Sequence, residues 1–266
     1  MPAQLRARPT ACARGIVSDV RRLLLLSNSR APGGRFLEHV LPQISAIVAR
    51  GSRIAFVPYA GDDHASYERM MAGSLAGIGV ELSSVHRSPD PAATVEAADG
   101  VFVGGGNTFR LLRRVTELGL LEPLRRLAAE GRPYLSASAG SNLACPTIRT
   151  TNDMPIVEPP GSLNALGLIP FQLNPHYPLT AEWPANVGES RDQRLDEFLA
   201  ENDVPVLCLR EGSWLHVEGD RAQTGGVTET RLLRRGRQPA EISPGGDVSD
   251  LLAVEPRFDE PAAPPF

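Results

Sequence analysis

Four short runs of this chain are almost wholly apolar, at Leu23–Ser27, Ile54–Pro58, Gly100–Val103 and Tyr134–Ser136. Amphipathic stretches lie between them, at Arg35–Arg50, His64–Ile78 and Thr108–Glu130, with one more short strand at Val80–Val85. Strand and helix in alternation make βαβ units, and such units stack their strands in parallel and cover the sheet on both faces. The expected fold is therefore α/β, a single domain with a mostly parallel central sheet and helices on both faces. Gly119 and Pro123 disfavour a continuous helix, so the third stretch is expected to be interrupted. Downstream, a helix is expected at Arg191–Ala200 and strands at Val204–Leu209, Trp214–Val217 and Thr228–Leu233, with a turn at Glu218–Gly219–Asp220. Residues 1–21 and the Pro/Ala-rich 251–266 read as extensions around a single domain at 22–250.

At 266 residues, one sizeable domain of this kind fits and two would be cramped. A net charge of −4 leaves no basic excess for phosphates, so neither a nucleic acid nor an anionic membrane is an expected partner. Every side-chain cation except histidine is an arginine, which removes lysine Schiff-base chemistry and leaves carboxylate binding by planar guanidinium groups. Cys12, Cys145 and Cys208 are scattered without metal-ligand spacing, so no zinc site or disulfide framework is expected. The N-terminal residues have no apolar run long enough for a signal peptide, and the expected location is the cytoplasm.

Chemistry concentrates in two loops. Ser136-Ala137-Ser138-Ala139-Gly140 follows a strand and opens a helix, the shape of a nucleophile elbow with Ser138 at its apex. The Ala139 N–H then sits at a helix start, where it can stabilise an oxyanion. Gly104-Gly105-Gly106-Asn107-Thr108-Phe109 also follows a strand and precedes a helix, presenting a row of backbone donors. A dinucleotide reading fails because Phe109 replaces the third glycine of that fingerprint. Among five histidines, only His176 lies in a proline-stiffened segment, Asn174–Pro178, read as a rigid irregular loop rather than a strand or helix.

These residues resemble peptidase E, the dipeptidases that cleave after an amino-terminal aspartate. The resemblance rests on LLLLSNS at 23–29, VGGGNTF at 103–109, SAGSNLACPTIRTTNDMPIV at 138–157, NPH at 174–176 and EG-x-W at 211–214. It implies a serine hydrolase on a class I glutamine amidotransferase-like fold, with no cofactor or metal, Ser138 as nucleophile and His176 as base. Asp153 and Glu211 both match positions considered for the acidic partner. Gly105, Gly106 and Ala139 would supply the oxyanion hole. Arg191 would bind the substrate carboxylate, with Arg149 as the alternative and Asn107 and Thr151 in support. The expected partner is a small Asp-Xaa peptide, and a homodimer is allowed. A cyanophycinase-like peptidase and a non-catalytic ligand-binding relative are the alternatives. Ser136 and Ala137 replace a Gly-Trp pair usual in the family, which suggests crowding at the turn and extra room beside the substrate.

Overall fold

The computed structural model describes residues 20–155, 160–178 and 189–261. In chain order its strands are β1 (Arg22–Leu26), β2 (Arg53–Val57), β3 (Glu81–Ser84), β4 (Gly100–Val103), β5 (Tyr134–Ala137), β6 (Gln172–Tyr177), β7 (Val206–Arg210), β8 (Ser213–Glu218), β9 (Arg221–Gly226), β10 (Thr230–Leu233) and β11 (Ala240–Ile242). Its helices are α1 (Leu41–Ile47), α2 (His64–Ala76), α3 (Pro91–Glu96), α4 (Thr108–Glu117), α5 (Leu121–Ala129), α6 (Ala139–Ala144) and α7 (Arg191–Glu201).

The central sheet runs β3-β2-β4-β5-β1-β8-β9, with the first five strands parallel and the last two antiparallel. The four leucines of β1 show why its sequence does not alternate. Leu23 and Leu25 join one core with Val101, Leu111 and Leu124, while Leu24 and Leu26 join another with Ile44, Met71 and Leu75. Both faces of this strand are dry, as expected for a parallel sheet covered by helices.

A second sheet, β11-β10-β7-β6, was not expected from the sequence. It takes up two of the anticipated strands, and its first member, β6, runs through the Asn174–Pro178 segment read as an irregular loop. The irregularity is real but smaller: β6 pairs in parallel with β7, and the register slips between Asn174 and Tyr177. The slip is a bulge, the device by which a strand re-aims a side chain.

Other boundaries differ for physical reasons. The first helix covers only Leu41–Ile47, because Leu37 adopts a positive φ of 57° and Pro42 starts the helix rather than sitting inside it. The break between α4 and α5 falls at Gly119, at φ 65°, whereas Pro123 lies in the first turn of α5, where its missing N–H is not needed. α3, β9 and β11 were missed. The C-terminal segment is also not loose over its described part. Asp203 N–H donates to Arg257 O at 2.8 Å, and Leu251 is fully buried. The expected extension at 1–21 lies almost wholly outside the described residues.

α6 packs closely against the carboxyl ends of β4 and β5. A Cβ at Gly140 would stand 2.3 Å from Val103 O and 3.0 Å from Ser136 Cβ, both fixed by strands. Gly140→Ala should therefore cost about 1–3 kcal/mol of stability by overpacking, read as a lower Tm; an unchanged Tm would show that α6 is free to retreat.

Candidate active site

The elbow after β5 is formed as the sequence suggests. Ser138 holds φ 53° and ψ −111°, a conformation that L-residues avoid. Its N–H donates to Leu26 O at 3.0 Å, which ties the turn to the end of β1, and Tyr134 Oη donates to Gly140 O at 2.9 Å from below. Ser136 does not crowd the turn with an unmet hydroxyl. It hydrogen-bonds Ser141 Oγ at 3.0 Å, and Ser141 donates onward to Leu26 O at 2.7 Å. Ala137, expected to leave room at the substrate, is fully buried and joins the core cluster that holds Leu26, Phe102 and Trp214.

His176 also has a positive φ, 56°, and sits in the β6 bulge. Its N–H donates to Ser27 Oγ at 3.0 Å, and Asn152 Nδ2 donates to the preceding Pro175 O at 2.7 Å. Asn174 Nδ2 holds Asn152 Oδ1 at 2.8 Å and Thr150 O at 2.6 Å. The imidazole thus presents Nε2 to Ser138 Oγ at 2.7 Å and Nδ1 to Glu211 Oε1 at 2.6 Å. The His176 and Glu211 side chains are 43% and 44% exposed, so the pair is open to a ligand from solvent.

The two acidic candidates separate clearly. Glu211 touches His176, and its second oxygen accepts from Asn28 Nδ2; Asn28 Oδ1 in turn accepts from Gly212 N–H at 2.9 Å. Asp153 Oδ2 instead accepts from Thr108 N–H at 2.7 Å and Thr108 Oγ1 at 2.6 Å, at the start of α4. Thr151 Oγ1 joins it, 2.9 Å from Thr108 Oγ1 and 3.3 Å from Asp153 Oδ2. The structure therefore brings Glu211, not Asp153, to the histidine.

Among the expected oxyanion donors, Gly105 differs from the other two. Its N–H donates to Tyr67 Oη at 2.9 Å, whereas Gly106 N–H and Ala139 N–H find no acceptor among the described residues. Asn107 is occupied at both ends of its amide, capping Arg110 N–H at 3.0 Å and donating to Met154 O at 2.8 Å.

Arg149 is not a substrate group in this arrangement. It donates to Asp259 Oδ1 at 2.7 Å, contacts Asn202, and lies over the Phe258 ring, so it fastens the C-terminal segment. Arg191 behaves differently. It is half-buried at the first position of α7, where a cation opposes the helix dipole, and one buried guanidinium nitrogen has no partner among the described residues. Burial pushes its pKa down and Arg194 adds to that, while Asp153 pulls the other way. A cation kept at such a cost is poised for an anion from outside.

Sequence reasoning did not single out Ser27, Asn28, Tyr67 or Asn152. Ser27, Asn28 and Asn152 lie within the segments that carry the resemblance, so a signal was present there. Tyr67 on α2 looks like any helix aromatic and gave none.

Known proteins resemble this chain over most of its length. A family model described as Peptidase family S51 matches residues 23–225. A "Peptidase E" from Streptomyces coelicolor is 54% identical over 237 residues, spanning 89% of this chain and 97% of the relative. A Drosophila melanogaster protein carrying the name alpha-aspartyl dipeptidase is 41% identical, over 89% of this chain and 99% of its own. Among solved structures, a Listeria monocytogenes protein assigned as a peptidase E superposes with a TM-score of 0.59 at 20% identity, covering 78% of this chain and 99% of that one. A peptidase from an acI-B1 actinobacterium gives 0.63 at 16% identity, covering 86% and 96%. The two structures support the fold alone.

Asp153→Ala should remove the acceptor of the Thr108 N–H and cost about 1 kcal/mol, as loss of a helix cap does. Thermal unfolding of the variant measures this, and no loss would mean that Asn107 alone secures the start of α4.

Proposed function

Because this chain belongs to peptidase family S51, we propose that it is a serine dipeptidase that hydrolyses the peptide bond after an amino-terminal aspartate. The observation that carries the reading is the continuous chain from Ser138 Oγ through His176 to Glu211, 2.7 and 2.6 Å per step, beside two unengaged backbone donors.

In this reading Ser138 Oγ attacks the carbonyl carbon of the aspartyl residue while its proton passes to His176 Nε2. Glu211 accepts from Nδ1–H, which fixes the tautomer and stabilises the imidazolium. The developing oxyanion is held by Ala139 N–H and the Gly106 N–H, aimed before the reaction begins. As the tetrahedral intermediate collapses, the C–N bond breaks, the leaving amine takes the proton from Nε2, and an aspartyl ester of Ser138 remains. Water, deprotonated by the same nitrogen, attacks the ester and releases aspartate.

Arg191 suits the substrate β-carboxylate, since one of its buried guanidinium nitrogens is unpartnered among the described residues and it lies within electrostatic reach of Asp153. A charged hydrogen bond of roughly 1.5–3 kcal/mol would favour Asp over Asn by about 10- to 150-fold. A small peptide is the substrate class, and no helix among the described residues is long and apolar enough to cross a membrane.

The test is hydrolysis of Asp-Leu against Asn-Leu, Glu-Leu and acetyl-Asp-Leu. Selective turnover of Asp-Leu is expected, falling by roughly 10⁴-fold or more in Ser138→Ala. No turnover of any of the four would remove the proposal. Glu211→Gln should lower kcat by roughly 10²–10⁴-fold by losing the acceptor that orients the base, and by far more than Asp153→Asn. The reverse order would restore Asp153 as the acidic partner. Arg191→Met should abolish the preference for Asp over Asn; a retained preference would move the specificity pocket elsewhere.

A further inference from the structure

The loop Gly104–Gly106 must approach the nucleophile without a single side chain, and each glycine is required by a different neighbour. A Cβ on Gly105 would meet Ser138 Cβ at 3.1 Å and Ala137 O at 3.2 Å. A Cβ on Gly106, at φ 136°, would meet Ala60 O at 2.5 Å. A Cβ on Gly104 would meet the Tyr67 ring at 2.7 Å. A loop so free of side chains has wide conformational freedom, yet an oxyanion donor has to be aimed to within tenths of an ångström.

Tyr67 supplies the missing restraint. Its ring is wedged edge-to-face against Phe56, with centroids 5.0 Å apart, and against Phe36 at 6.3 Å, so the hydroxyl has little play. That hydroxyl accepts from Gly105 N–H at 2.9 Å, and the Ser29 side chain lies near it. Burial holds the phenol in its neutral form, able to accept and to donate at once. The flanking backbone is pinned too, since Gly104 N–H donates to Val57 O at 3.0 Å and Asn107 N–H to Ala60 O at 2.9 Å. Gly106 N–H is the donor left over.

We propose that Tyr67 is a positioning residue for the oxyanion hole: its hydroxyl takes the Gly105 N–H out of play and so fixes the Gly106 N–H, with Ala139 N–H, as the donors beside Ser138. This rests on the serine-hydrolase reading of the same site. Tyr67 acts through the loop, not on the substrate, so its hydroxyl should affect the rate of the chemical step and leave substrate binding alone.

The experiment compares wild type with Tyr67→Phe, which keeps the wedged ring and removes one oxygen, and with Ser29→Ala, which removes the hydroxyl near the phenol. Two readouts are taken: Asp-Leu hydrolysis, and the rate at which an alkyl fluorophosphonate labels Ser138, followed by intact mass. In labelling, Ser138 Oγ bonds to phosphorus, fluoride leaves, the hydroxyl proton passes to His176, and the phosphoryl oxygen occupies the oxyanion hole without any aspartyl group. Tyr67→Phe should lower kcat and the labelling rate in parallel, by roughly 10- to 100-fold, below the 10²–10³ typical of deleting a donor outright. KM should stay within about threefold, and Ser29→Ala should show a smaller loss of the same kind. Unchanged or faster labelling in Tyr67→Phe would overturn the proposal, because it would make Gly105 N–H the working donor or the hydroxyl idle. A change confined to KM would overturn it as well, by placing Tyr67 at the substrate. A wild type that labels but does not cleave Asp-Leu would sink the substrate reading while leaving the Tyr67 comparison decisive. A wild type whose Ser138 does not label would sink both.

Discussion

The end of β1 is the point on which the site depends. Leu26 O accepts from Ser138 N–H and from Ser141 Oγ. The next two residues are polar, and each holds a different element: Ser27 accepts from His176 N–H and donates to Leu209 O at 2.9 Å, and Asn28 clamps Glu211 and Gly212. Ser27 is completely buried with its hydroxyl used in both directions, so nothing polar there is left unmet. β1 can act as this hub because it lies inside the sheet, between β5 and β8. Every group it orients is then referred to one rigid strand.

That rigidity holds unfavourable local conformations in place. Ser138 and His176 both have positive φ without being glycine, a cost of roughly 1–3 kcal/mol each. Arg191 adds a half-buried cation at the wrong end of a helix dipole. None of the three serves stability. The surrounding bonds, Ser138 N–H to Leu26, Tyr134 to Gly140, His176 N–H to Ser27 and Asn152 to Pro175, are what over-determine the strained backbone.

The central sheet was legible because its strands are buried on both faces, and burial of that kind writes itself into runs such as Leu23–Leu26 and Ile54–Val57. The second sheet was not: β7 and β10 read as strands, but β6 carries a proline and a bulge and β11 is mostly exposed, so nothing in the pattern joins them into a sheet. The tight turn at Ser138 and the irregularity around His176 could be read from local sequence, since an elbow and a proline-stiffened segment are local features. The choice between Asp153 and Glu211 could not. Glu211 meets His176 across 35 residues and through the pairing of β6 with β7, a long-range register that spacing does not encode. Tyr67 was invisible for a related reason. Only the loop from β4, distant in sequence, turns an ordinary helix aromatic into a hydrogen-bond acceptor for Gly105.

The partition between the two sheets also explains why Glu211 sits where it does. Ser138 follows β5 of the central sheet, while His176 lies on β6 of the second. Two residues, Glu211 and Gly212, link β7 of the second sheet to β8 of the first. Gly212 makes that passage at φ 80°, and a Cβ there would meet Val227 Cγ2 at 2.6 Å, so the turn is tight and accepts little else. Carrying the carboxylate on the link means that the group contacting His176 also sits at the covalent junction of the two sheets. Asn28 grips both residues of the link from β1. Any sliding of one sheet against the other would have to break that grip, so the distance from Ser138 to His176 is set by the same contacts that join the sheets.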